Sequence, residues 1–153
     1  MLNIGSQAPD FVLPDQHGNT ISLAQTLQQG PVVVYFYPAD FTPVCTAEAC
    51  AFRDANDDLE AVDIKILGIS PQSVDSHRRF ADRYSLPFSL LFDEGKQTIK
   101  AFGVDGPLGF GVRRATFLIN TEQQIANRVV ADLFVGSHMD FIKQVLNNES
   151  GAA

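Results

Sequence analysis

Basic residues are scarce in this chain, 11 against 18 acidic ones, and the net charge of -7 at neutral pH works against binding to nucleic acid or to an anionic membrane surface. Small neutral substrates remain compatible with it. Long hydrophobic runs are also lacking: no stretch reaches the roughly 18 to 20 apolar residues of a membrane span. The opening Met1-Leu2-Asn3-Ile4-Gly5-Ser6 has no basic region followed by an apolar segment, so a cytoplasmic address is expected. Cysteine is limited to Cys45 and Cys50, too few for a secreted disulfide framework. Their closeness in one segment suggests chemistry before stapling. Repeats, low-complexity blocks and linkers are absent. With 45% hydrophobic residues, the 153-residue chain is the size of one core-forming domain, spanning 1–153 with a flexible tail from about 148.

The elements follow from periodicity and punctuation. Phe11-Val12-Leu13 and Thr20-Ile21-Ser22-Leu23 flank Asp15-Gln16-His17-Gly18-Asn19, which reads as a hairpin. Gly30 closes a short helix, and Pro31 to Tyr37 is a continuous apolar, β-branched run suited to a central strand covered on both faces. The pattern then alternates: a helix from about 43, strand 62–69, helix 74–84, strand 88–92, helix 94–102, strands 114–119 and 125–131, and helix 138–147. Such alternation predicts an α/β fold, a mainly parallel, mixed sheet with helices on both faces. Ligand sites in open α/β sheets lie beyond the carboxyl ends of the strands. The segment after Tyr37 is therefore the candidate site.

In that segment Thr42 suits an N-cap and Pro43 the first helical position, where a missing N–H costs nothing. Cys45 then falls in the first helical turn. Unpaired amides and the positive end of the helix dipole favour an anion there, so the thiolate gains over the thiol. Glu48, one turn on, opposes this unless a cation pairs with it. The spacing Cys-x4-Cys is not a Cys-x-x-Cys redox pair, and a zinc site needs about four ligands where two cysteines and three scattered histidines exist. A cysteine protease would use a histidine base and an acyl site, and no acyl site is apparent. What remains is attack on a peroxide or on a disulfide. Attack on a peroxide builds charge on the leaving oxygen, which fixed donors must meet, and Thr42 is placed to be one.

At these residues a resemblance becomes specific. Pro38-x3-Thr42-x2-Cys45 resembles the active-site signature of peroxiredoxins, and the longer run from Phe36 to Arg53 resembles the PrxQ or bacterioferritin-comigratory subgroup. Ala8-Pro9-Asp10-Phe11, Gly68-Ile69-Ser70, His77 with Phe80 and Ala81, Leu86-Pro87-Phe88 and Arg114 to Ile119 are similar in content and order, to about residue 147. The resemblance implies a thioredoxin-like fold with an N-terminal β-hairpin and a peroxidase acting on hydrogen peroxide and organic hydroperoxides. It implies Cys45 as the peroxidatic and Cys50 as the resolving cysteine, joined in an intramolecular disulfide that thioredoxin or a glutaredoxin-like dithiol reduces. Pro38 would shield the pocket, Thr42 would bond peroxide or thiolate, Arg114 would hold the thiolate, and Glu48 would orient the arginine. No cofactor or metal is implied, and the expected state is a monomer or weak homodimer. Arg113 and Arg114 point to opposite faces of their strand, so only one reaches the site; the register before Thr116-Phe117 selects Arg114. Val44, where glycine is usual, narrows the pocket, and Asn120 stands where aspartate usually follows the strand.

Two other classes share this pattern in part. A thioredoxin-like thiol-disulfide oxidoreductase would share the helix-end cysteine, and a copper-binding redox chaperone would pair two cysteines with a distant histidine, for which His138 is the only candidate. His17, His77 and His138 otherwise read as packing or surface residues. The stretch Gly103 to Gly111 lacks a phosphate-loop lysine and reads as a flexible loop, with Leu108 and Phe110 lining the pocket.

Overall fold

The structure, a computed structural model, describes residues 1–132 and 134–151. A five-stranded sheet runs in the order β5-β4-β3-β6-β7, built from β3 (Val32–Phe36), β4 (Lys65–Ser70), β5 (Ser89–Phe92), β6 (Ala115–Ile119) and β7 (Ile125–Val130). It is mixed: β3 pairs with β4, and β4 with β5, in parallel, while β3 with β6, and β6 with β7, are antiparallel. A separate antiparallel hairpin of β1 (Val12–Pro14) and β2 (Thr20–Ser22) precedes it. The Asp15 carboxylate accepts the N–H groups of His17 and Asn19 and so closes the hairpin turn.

Every residue of β3 is buried, the burial that its unbroken apolar run requires. Alternation sorts its side chains. Val32, Val34 and Phe36 face a core completed by α1 (Leu23–Leu27), α4 (Gln97–Ala101) and the hairpin side. Val33 and Tyr35 face a second core formed with α2 (Pro43–Glu60), α3 (Val74–Tyr84) and α5 (Val135–Gly151). Phe52 of α2 stacks on Tyr35 at 4.5 Å between ring centroids, and a buried Phe of this kind is worth about 3 to 5 kcal/mol against Ala. Burial along α2 falls on Cys45, Glu48, Ala49, Phe52, Asn56 and Leu59, a single helical stripe. Cys50 lies off that stripe and is half-buried.

Some boundaries differ from expectation for local reasons. The strand expected over 62–69 begins at Lys65, because Val62, Asp63 and Ile64 donate back to Leu59 and Glu60 to close α2, with Asp63 at φ 61°. Gly30 must stay a glycine beside that turn: its φ is 139°, and a Cβ there would meet the Asp63 carbonyl oxygen. The helix expected over 94–102 is shortened, since Gly95 and Lys96 adopt positive φ before α4 starts. The Asp93 carboxylate then accepts from Thr98 and Ile99 N–H groups. The last helix starts at Val135 and continues to Gly151, so residues 148–151 are helical; of the expected tail, 152 and 153 lie outside the described residues. Leu108 and Phe110, expected to line the pocket, project into solvent, 95% and 77% exposed. Among the described residues no helix is long and apolar enough to cross a membrane.

Candidate active site

The site forms where α2 begins, past the carboxyl end of β3. Tyr37 continues from the strand, and Pro38, half-buried, sits at the bend that follows it. Asp40 anchors this loop: its buried carboxylate accepts from Tyr37 Oη at 2.7 Å and from Ser76 Oγ at 2.7 Å, and lies 2.7 Å from His77 Nδ1. Phe41 turns the chain through a positive φ of 66° and packs edge-on against Phe80 of α3. Thr42 then takes the N-cap position and Pro43 the first helical one. The Thr42 side chain does not cap the helix, however; its hydroxyl donates to the Ala39 carbonyl at 3.0 Å.

The first helical bond in α2 runs from Thr46 N–H to Thr42 O, so the amides of Val44 and Cys45 precede it and keep the character of helix-end donors. Cys45 is buried and Cys50 partly so, and both are free thiols. Arg114 reaches the sulfur, with Nη2 3.2 Å from Cys45 Sγ. Its Nη1 donates to Glu48 Oε1 at 3.0 Å and its Nε to the Asp132 carbonyl at 3.1 Å. Arg113 faces outward and forms an exposed ion pair with Asp132 at 2.8 Å. The structure thus brings Cys45, Arg114 and Glu48 together; Pro38 and Thr42 lie on the loop beside them, and Cys50 stands on another face of α2.

Glu48 is fully buried rather than solvated. Burial pushes its carboxyl up to about 7, against the pull of Arg114. Among the described residues its Oε2 has no hydrogen-bond partner, and it lies 3.6 Å from Nδ1 of His138. His138 is a buried member of the site that sequence reasoning set aside as packing or surface. Its Nδ1 sits 2.7 Å from Thr116 Oγ1 and its Nε2 3.0 Å from the Ala131 carbonyl, so neither nitrogen is free for a copper ion shared with the cysteines. Burial, with Arg114 assisting, lowers its affinity for a proton. A signal was present: His138 heads the stripe completed by Phe141, Ile142 and Val145. Beside the site a hollow of about 650 Å³ is lined by Pro43, Val44 and Ala47 of α2 and by Phe134, Val135 and Ser137 at the start of α5. Val44 is one of the residues that form its wall.

The AhpC/TSA family model matches residues 4–128, the span that carries this buried thiol at a helix start with a guanidinium on its sulfur. The chain belongs to the AhpC/TSA family. Its relatives there are peroxiredoxins of the Q and bacterioferritin-comigratory type. It is 47% identical to the chloroplastic peroxiredoxin Q of Sedum lineare over 76% of this chain, a match that spans 62% of that relative's length. The chain therefore covers less than two thirds of that relative. Peroxidoxin BcpB from Mycobacterium tuberculosis superposes with a TM-score of 0.90 at 35% identity, covering 97% of this chain and 98% of that one. The Xanthomonas campestris bacterioferritin comigratory protein, described for its alkyl peroxide reduction activity, superposes with a TM-score of 0.85 at 28% identity, over 97% of each chain. The thioredoxin-like peroxiredoxin fold is thereby established for this chain.

Proposed function

We propose that this chain is a thiol-dependent peroxidase that reduces hydrogen peroxide and organic hydroperoxides. The observation that carries the reading is the Arg114 guanidinium 3.2 Å from Cys45 Sγ at the start of α2. The Cys45 thiolate attacks the terminal peroxide oxygen; an S–O bond forms, the O–O bond breaks, and the alkoxide or hydroxide leaves and takes up a proton. Arg114 and the helix-end amides face the charge that develops. The Thr42 hydrogen is committed to Ala39 O, so its oxygen serves as an acceptor for the peroxide O–H, a role opposite to the donor expected from the sequence. Pro38 shields the sulfur from water, and Glu48 holds Arg114 in place through Nη1. Cys50 then attacks the Cys45 sulfenic sulfur and releases water, giving an intramolecular disulfide that thioredoxin or a glutaredoxin-like dithiol reduces.

Peroxide consumption with thioredoxin as reductant tests this directly. Cys45→Ser is expected to abolish turnover, because a serine hydroxyl is essentially never ionised at neutral pH. Cys50→Ser is expected to give one fast turnover and then stall. Activity of Cys45→Ser above about a tenth of wild type would remove the assignment, and undiminished cycling of Cys50→Ser would remove Cys50 as the resolving residue.

A further inference from the structure

Arg114 faces two acids, the Cys45 thiol and the Glu48 carboxyl, and it balances the charge of only one of them. What decides between them lies on the far side of Glu48. The Ala131 carbonyl only accepts, so the hydrogen on the His138 ring sits on Nε2. In the neutral ring Nδ1 then presents a lone pair, which accepts from the Thr116 hydroxyl. That nitrogen also faces Glu48 Oε2, which is buried without a hydrogen-bond partner among the described residues. Two lone pairs at 3.6 Å in a buried site are a poor arrangement, and one proton on either group resolves it.

We propose that His138, presented by α5 and oriented by Thr116, is a positioning residue that shares a proton with Glu48 and by that means sets how fully Arg114 serves Cys45. The inference rests on Cys45 as the attacking thiol. In the step it describes, the Cys45 S–H bond breaks and an O–H bond on Glu48, or an N–H bond on His138, forms; the net charge of the buried cluster does not change. Every group facing the pair enters this balance. Arg114 comes from the residue just before β6 and Cys45 from α2. Asp132, paired mainly with Arg113, favours the protonated ring from the loop before α5. The Tyr35 hydroxyl on β3 stays neutral, because burial and Glu48 hold its proton on. The high proton affinity of Glu48 accords with this arrangement.

The test reads the proton itself. Infrared spectra of the reduced, full-length protein labelled with heavy carbon at its glutamate carboxyls report a protonated buried acid, and the band lost in Glu48→Gln belongs to Glu48. In wild type it is expected to titrate with a midpoint of about 7. In His138→Gln the amide takes up no proton and its N–H donates to Oε2, so the midpoint is expected to fall by about one pH unit or more. Single-turnover reaction with peroxide at neutral pH should slow by about tenfold, since the ionised Glu48 then retains Arg114. A second measurement needs no variant: the imidazole nitrogen resonances of wild-type His138 should show the Nε2–H tautomer, with Nδ1 moving over the same pH range as the Glu48 band. The same midpoint in His138→Gln, or an Nδ1 resonance that stays still while Glu48 titrates, overturns the inference. Turnover by Cys45→Ser would instead sink the peroxidase reading, and the Glu48 band would still be read without it.

Discussion

Closing a disulfide between Cys45 and Cys50 requires α2 to come apart locally, and the structure says where the break must stop. Both residues lie in one regular helix. Five residues of α-helix rise about 7.5 Å and turn about 140°, which separates the Cα atoms by about 8.6 Å, whereas a disulfide needs roughly 4.4 to 6.8 Å. At least one turn must unwind. The segment is held at both ends by α3: Asp40 is bonded to Ser76 and lies against His77 on one side, and Arg53 Nη1 donates to the Tyr84 carbonyl at 2.8 Å on the other. Phe52, stacked on Tyr35, reinforces the second anchor. Losing about four helical bonds at roughly 1 kcal/mol each gives an opening cost of about 4 kcal/mol in the reduced protein. That cost corresponds to about 10³-fold protection of the amides of residues 47–51 from exchange. After oxidation, amide exchange by mass spectrometry should show this protection nearly gone over those residues. From Asp54 to Glu60 it should be unchanged. Equal protection in both forms, with the 45–50 disulfide confirmed by mass, refutes the reasoning.

The remaining predictions concern the charges and the loop. Arg114→Ala is expected to slow the peroxide reaction by about 10²-fold or more, as for loss of a transition-state donor, while Arg113→Ala, which breaks only an exposed pair with Asp132, should cost under about 1 kcal/mol of stability and little rate. The reverse ranking in stopped-flow kinetics would contradict the geometry. Thr42→Val should likewise slow attack by about 10²-fold without changing the denaturation midpoint greatly, and an unaltered rate would show that its oxygen does not hold peroxide. For Glu48 the folded value rises from the ordinary 4.5 to about 7, so the folded state binds the proton more tightly and its stabilisation is lost as pH climbs between those values. The loss amounts to up to about 3 kcal/mol. Urea unfolding of Glu48→Gln should therefore gain on wild type from about pH 5 to pH 8, and parallel curves would mean that Glu48 does not titrate in that range.

What the sequence disclosed and what it concealed divide along a physical line. Thr42-Pro43 before Cys45 is local punctuation, and it located the start of α2 to the residue. The apolar run of β3 announced burial on both faces, and strand alternation picked Arg114 over Arg113. Those features are encoded between near neighbours. The boundaries that slipped, at Lys65 and Gln97, depend on helix closure and on the Asp93 carboxylate cap, which no period reveals. Glu48 and His138 are different: each sits on the inward stripe of its helix, Glu48 among Cys45, Ala49 and Phe52, His138 above Phe141, Ile142 and Val145. His77 does the same with Phe80 and Ala81 on α3. A polar side chain on such a stripe is carried into the core by its neighbours and must find partners there. The periodicity could therefore have flagged all three as buried. It could not have named their partners, since Asp40 and His77 meet across 37 residues and Arg114 reaches Glu48 across 66. Burial is written in the helix that carries a residue, whereas its charge state is written in another element, and only the packing of α2, β6 and α5 brings the two together.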